Sequence, residues 1–291
     1  MTAALVEKAP AKINLTLRIA GRRADGYHEL ESLVAFAGIG DMLTLTPSTT
    51  PALEVSGPCS DACGPIEDNL VLKAVRVLGE QLPGLNAGHF RLDKTLPAGG
   101  GIGGGSSDAA AALRLLARLN GIAIDDPRLA SAARAVGADV PVCLDPRPRI
   151  MRGIGELLSA PVDLPAMPAV LVNPGIPVAT RDVFAKFKAT QGDKEPLAAV
   201  PSRYDAVIAF LDKHGNDLTL PALACAPVIE DVLTALRAWP GVRLARMSGS
   251  GSTCFALFAD ADEAATAARC LQAERETWWV QTTTIGKVAS A

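Results

Sequence analysis

Aromatic side chains are scarce, at 4% of 291 residues, with two tyrosines and three tryptophans. Charge of either sign is nearly balanced, 28 Lys and Arg against 31 Asp and Glu for a net charge of −3. A nucleic-acid surface needs clustered cations, often with aromatics among them. The chain has neither, which excludes nucleic acid as a partner. No run of about 18 apolar residues occurs, which excludes a membrane-spanning helix. The opening Met1-Thr-Ala-Ala-Leu-Val-Glu-Lys-Ala-Pro10 turns polar too early for a signal peptide, so a cytoplasmic protein is expected. The six cysteines, at 59, 63, 143, 225, 254 and 270, are scattered in the manner of reduced thiols rather than a disulfide framework. Cys59 and Cys63 alone are close, and the loop around them offers no third and fourth zinc ligand, so no metal site is expected. Repeats and low-complexity segments are missing too.

What is abundant is glycine, concentrated in Leu96-Pro-Ala-Gly-Gly-Gly-Ile-Gly-Gly-Gly-Ser-Ser-Asp108. Each of its six glycines would cost a helix or strand roughly 0.5–1 kcal/mol against alanine. The stretch therefore reads as a backbone device for holding phosphate, with amide hydrogens turned into one concavity and the dipole of a following helix behind them. Ser106, Ser107 and Asp108 stand where that helix would begin, and Ala112, Leu115, Leu116 and Leu119 suit one buried helical face. The Gly-Lys-Ser/Thr ending of a P-loop is missing. Gly99, Gly101 and Gly104 match GxGxxG only because glycine is so dense.

Along the rest of the chain, residues 11–19 alternate as a strand, with Ile13, Leu15, Leu17 and Ile19 on one face. Lys12, Asn14, Thr16 and Arg18 form the other, either a solvated face or one wall of a site. A turn over 21–28 precedes strands at 30–36 and 42–46, and residues 48–65 form a loop around a short strand at 53–55. Asp68 or Asn69 caps a helix to Leu82, a strand at 89–94 delivers the chain into the glycine loop, and Asp125-Asp-Pro127 opens a helix to Val136. Asp139 lies among apolar neighbours, a carboxylate that needs a partner or a task. Composition shifts near Arg147–Gly155, which divides the chain into domains 1–152 and 153–291. The second half carries strands at 169–172, on both sides of a second glycine signal at Gly249-Ser-Gly-Ser252, and at 278–285. Helices are expected from 180 through Phe184 and Phe187, and at 204–211, 227–238 and 260–273. Mixed strands and helices argue an α+β chain.

Three motifs in order, Pro10-Ala-Lys-Ile-Asn-Leu15, Pro97 to Ser107 and Gly249-Ser-Gly-Ser-Thr-Cys-Phe255, resemble the GHMP superfamily of small-molecule kinases. Arg23-Ala-Asp-Gly-Tyr-His28 and Gly137-Ala-Asp-Val-Pro141 bring the resemblance closest to the subfamily that phosphorylates diphosphocytidyl-methylerythritol in non-mevalonate isoprenoid synthesis. The resemblance implies a two-domain α+β fold, an N-terminal domain like ribosomal protein S5 domain 2 and a C-terminal ferredoxin-like α/β sandwich, with the active site in the inter-domain cleft. It implies ATP as phosphoryl donor, magnesium, a cytidine diphosphate derivative as substrate and a monomer or homodimer. Asp139 matches the catalytic aspartate and Lys12 the catalytic lysine. Pro97, Ala98, Gly99, Gly100, Gly101, Ile102, Gly103, Gly104, Gly105, Ser106 and Ser107 match the ATP loop, with Asn69 and Lys94 as nucleotide-side neighbours. Tyr27, His28 and Phe184 match residues around the cytosine ring. Asn14, Thr180, Gly249, Ser250 and Gly251 match further substrate contacts. No carboxylate pair stands out as magnesium ligands, which leaves Ser106 or Ser107. The other readings are a GHMP kinase for homoserine or mevalonate, and a catalytically silent protein of the same fold that binds ATP and a metabolite. Tyr27 and His28 argue against the former, Lys12 with Asp139 against the latter.

Overall fold

The structure, a computed structural model, describes residues 4–24, 26–48, 50–188, 196–197 and 199–286. Asp25 of the Arg23–His28 motif and Thr49 of the 48–65 loop lie outside the described residues. The chain runs β1 (Leu5–Asn14), β2 (Arg18–Arg22), β3 (His28–Pro47), β4 (Ala52–Ser56), α1 (Leu70–Gln81), β5 (Gly88–Asp93), α2 (Gly104–Asn120), α3 (Pro127–Val136) and α4 (Val140–Leu144). It continues through β6 (Arg149–Gly153), β7 (Leu157–Leu158), β8 (Met167–Asn173), α5 (Thr180–Lys186), α6 (Tyr204–Lys213), α7 (Thr219–Leu223), α8 (Val228–Arg237), β9 (Val242–Met247), β10 (Cys254–Phe258), α9 (Ala261–Glu274) and β11 (Trp279–Ile285).

Contacts divide the chain into two interleaved units. The first comprises the described parts of Met1–Ala11, Gly40–Ala98 and Gly103–Pro146, the second those of Lys12–Ile39, Gly99–Ile102 and Arg147–Ala291. The second unit takes residues from ahead of position 152 because β3 pairs with β6 over Leu30–Val34, and because the glycine loop hydrogen-bonds to the segment around Ser248.

In the first unit β5 lies between β4, to which it is parallel, and the 42–47 end of β3, to which it is antiparallel. Helix α1 packs on α2 and α3, and α2 also packs on α4. The spacing of Val71, Ala74, Val75 and Leu78 gives α1 its buried stripe, and the Asn69 side chain caps it by accepting from the Val71 N–H at 2.9 Å. Asp126 caps α3 in the same way, with Pro127 in its first turn. Helix α2 is buried from Ser107 to Ala117 without a break, where a single apolar stripe was expected, because small alanines let neighbours close around it.

In the second unit the sheet order β11-β8-β10-β9 is antiparallel throughout. Numbered along the chain these strands lie 4-1-3-2, with helices between the first and second and α9 between the third and fourth, which is the ferredoxin-like arrangement expected for this half. Helices α8 and α9 pack on it.

Two strand expectations need correction. The alternating run at 11–19 is not one strand: β1 ends at Asn14 and β2 begins at Arg18. Its polar face is not solvated either, since Lys12, Asn14 and Thr16 are all buried. Polar partners make this possible, with Asn14 Nδ2 donating to Ser32 Oγ at 2.7 Å and the Leu33 N–H donating to Thr16 Oγ1 at 3.0 Å. The separate strands at 30–36 and 42–46 are instead the single 20-residue β3. Gly40 does not break it but admits the neighbouring chain, because a Cβ there would lie 2.3 Å from the Ala9 carbonyl oxygen.

Candidate active site

The glycine loop enters α2 through residues that only glycine tolerates easily: Gly99, Gly101 and Gly103 have φ of 64°, 75° and 62°. Helix α2 begins at Gly104, two residues before Ser106, and its N-cap Gly103 offers no side-chain hydrogen bond to the first turn. Uncapped N–H groups and the positive end of a helix dipole are the features that can hold an anion. Ser107 Oγ is spent on the Pro10 carbonyl at 2.8 Å, whereas Ser106 is half-buried in the same turn.

Beneath this turn the first unit buries a charged triad. Lys94 Nζ donates to Asp41 Oδ2 at 2.5 Å and to Asp108 Oδ2 at 2.8 Å. Asp41 Oδ1 accepts from the Thr95 and Leu96 N–H groups at 2.6 and 2.8 Å, which fixes the entry to the loop. A Cβ on Gly104 would lie 3.4 Å from Lys94 Nζ, so the ammonium sits directly under the first residue of α2. Burial opposes the charge of Lys94, and the two carboxylates outweigh it, holding the ammonium above the usual lysine range. Burial pushes the Asp108 carboxyl up to about 7, partly offset by Lys94; its Oδ1 is buried without a hydrogen-bond partner. Asn69 is the α1 cap described above. Asp139 is half-buried at the N-cap of α4, a short helix that the sequence reading missed, and its side chain does not cap that helix.

In the second unit three distant segments meet. The Lys12 N–H donates to the Ile102 carbonyl at 2.9 Å, and the Thr253 N–H to the Gly100 carbonyl at 3.0 Å. The Asn14 N–H donates to Ser248 Oγ at 3.1 Å, and Ser248 Oγ donates to the Gly101 carbonyl at 3.0 Å. Lys12, Asn14 and Gly99–Ile102 are thereby brought together with Gly249, Ser250 and Gly251. Thr180 joins them, its Oγ1 lying 2.9 Å from Ser250 Oγ.

Thr180 opens α5, and Phe184 follows at the i+4 position of the same helix face. Its ring lies 5.1 Å from the His28 imidazole at an interplanar angle of 30°. Phe187, which the sequence reading used only as a helix position, meets His28 edge-on at 5.8 Å. Tyr27 is 62% exposed beside them. Burial, then the Arg22 guanidinium, lowers the His28 pKa, which favours the neutral imidazole. A neutral donor and acceptor among aromatic faces suits a flat heterocycle. Among the described residues no three of His, Cys, Asp or Glu group to hold a metal by themselves.

The family model described as GHMP kinases N terminal domain matches residues 69–145, and that described as GHMP kinases C terminal matches residues 196–276. A 4-diphosphocytidyl-2-C-methyl-D-erythritol kinase of Methylorubrum extorquens is 54% identical over 285 residues, covering 96% of this chain and 98% of that one. The enzyme of the same name from Xanthobacter autotrophicus is 56% identical over 285 residues, covering 95% and 97%. A crystal structure of 4-(cytidine 5'-diphospho)-2C-methyl-D-erythritol kinase superposes with a TM-score of 0.79 at 34% identity, covering 98% of this chain and 100% of that one.

Proposed function

We propose, for a chain that belongs to the GHMP kinase family and within it to the 4-diphosphocytidyl-2-C-methyl-D-erythritol kinases, a reaction at one alcohol of that substrate. The terminal phosphoryl group of ATP passes to the 2-hydroxyl of 4-diphosphocytidyl-2-C-methyl-D-erythritol, a step toward isoprenoid precursors by the non-mevalonate route. The observation that carries this reading is the left-handed turn at Gly99, Gly101 and Gly103 running into a helix whose first turn has no side-chain cap. Residues 1–152 and 153–291 are taken as the kinase's N- and C-terminal domains in sequence, with one family-model match on either side of that division, while the compact units draw Lys12–Ile39 and Gly99–Ile102 into the second.

Phosphoryl transfer asks a protein mainly for positioning and for stabilisation of charge. Pro97 to Ser107 hold the triphosphate by backbone amides, with Asn69 at the nucleotide side. Lys94 serves the loop from below, since its ammonium is committed to Asp41 and Asp108. Asp139 accepts the hydroxyl proton of the acceptor, and the positive charge of Lys12 favours the developing alkoxide. Asn14, Thr180, Gly249, Ser250 and Gly251 contact the acceptor, and Tyr27, His28 and Phe184 hold its cytosine. Ser106, whose hydroxyl lies in the first turn of α2, would offer magnesium a hard oxygen ligand, and the ion would supply neutralisation of phosphate charge there.

The His28–Phe184 pair favours this acceptor over homoserine or mevalonate, which carry no base to stack. The protein works in the cytoplasm as a monomer or homodimer. Phosphorus NMR of the product tests the assignment. Incubation with ATP, magnesium and the cytidyl substrate yields a new phosphomonoester resonance beside the retained diphosphate pair, and its absence refutes the reading.

A further inference from the structure

We propose that Ser248 is a positioning residue for phosphoryl transfer, its single hydroxyl setting the spacing between the strand end that carries Lys12 and Asn14 and the loop that binds ATP. The inference rests on the kinase reading above. Ser248 is fully buried, and its Oγ both accepts and donates: it takes the Asn14 N–H at 3.1 Å and gives its proton to the Gly101 carbonyl at 3.0 Å. Positions 14, 101 and 248 are thus joined through one oxygen atom.

That oxygen is itself held in place. The Ser248 N–H donates to the Thr253 carbonyl at 2.9 Å, and the Ser248 carbonyl accepts from the Gly251 N–H at 3.0 Å. On either side, Asn216 Nδ2 grips the Met247 and Gly249 carbonyls at 2.9 and 2.8 Å. No slack remains on the loop side, because a Cβ on Gly101 would fall 2.6 Å from the Ser248 carbonyl oxygen and 2.7 Å from that of Gly251. A second observation ties the bridge to the site. Asn14 Oδ1 is buried without a hydrogen-bond partner, and a Cβ on Gly249 would lie 3.3 Å from it. The Ser248 bond holds the Asn14 backbone, and the Asn14 Nδ2 bond to Ser32 Oγ at 2.7 Å orients the side chain that carries this unused acceptor.

A serine that only filled space would be replaceable by any small side chain. A positioning hydroxyl is not, because alanine leaves the Asn14 N–H and the Gly101 carbonyl both without it. The decisive measurements are kcat with the cytidyl substrate and the Kd for ADP, for the wild type and three variants, well below their melting temperatures. Ser248→Ala is expected to lose at least tenfold in kcat while its ADP Kd stays within about threefold, since the triphosphate is held by amides that do not include Ser248. Ser248→Thr, which restores the hydroxyl, is expected to recover most of the kcat. Ser248→Cys keeps the bulk but only a weak hydrogen bond, should behave as alanine does, and decides the matter if the alanine variant does not fold. Alanine or cysteine variants with kcat within twofold of wild type overturn the proposal. So does a loss that affects kcat and ADP binding in proportion and that threonine fails to recover. A wild-type protein without turnover would instead refute the kinase reading, which separates the two failures.

Discussion

Replacing Lys94 with methionine strands two carboxylates in the first unit. Lys94, Asp41 and Asp108 have side-chain exposures of 3%, 0% and 3%, so water cannot take over the role of the lost ammonium. Removing one partner of such a buried pair costs about 3–5 kcal/mol. At roughly 2 °C per kcal/mol, the low end for a chain somewhat smaller than this one, the melting temperature at pH 8 should fall by about 6 °C. The loss should shrink in acid. The Asp108 carboxyl titrates at about 7 in the folded protein against 3.8 ordinarily, so the native state binds that proton more tightly than the unfolded chain does. Stability from this group therefore rises as pH falls from about 7 toward about 4, and in the variant protonation also relieves the stranded charge. Thermal melts of wild type and Lys94→Met at pH 8 and pH 5 read the difference directly. Adding Asp108→Asn should recover part of the loss at pH 8 and little at pH 5. A drop below about 2 °C at pH 8, or an equal drop at both pH values, would refute the triad's role in holding the loop.

Asp139→Asn should lower kcat by about 100-fold or more while leaving the ADP Kd near wild type; a comparable kcat would remove Asp139 as the base. Phe184→Ala and His28→Ala should each raise KM for the cytidyl substrate, by about 5- to 150-fold if stacking is worth 1–3 kcal/mol, with KM for ATP unchanged. Unchanged acceptor KM in both variants would move the base pocket elsewhere.

Features set by local chemistry were legible in the sequence. The caps Asn69, Asp126 and Asp260 each accept from a backbone N–H two residues on, as their residue types suggest. The glycine loop announced itself by density alone, and Gly99, Gly101 and Gly103 adopt the left-handed conformation that favours glycine. What stayed hidden depends on partners far along the chain. Whether the polar face of residues 12–16 is solvated or lines a site stayed open because alternation reports only the local period, whereas Ser248, 234 positions from Asn14, helps to bury it. The ion pairs of Lys94 were not legible because nothing beside it in sequence foretells Asp41, 53 positions earlier. Phe187 went unrecognised as a second ring at His28 because helical spacing explains it equally well as packing. The five-residue α4 is too short to show a period.

The central claim is that the backbone nest at Gly99–Ser107 presents ATP to an acceptor chosen by its cytosine. A coupled ADP-release assay with purified protein, ATP and magnesium, run side by side on 4-diphosphocytidyl-2-C-methyl-D-erythritol, homoserine and mevalonate, tests it most directly. The account predicts turnover with the cytidyl substrate and none above background with the other two. Turnover on homoserine or mevalonate at a similar rate, or on none of the three, would contradict it.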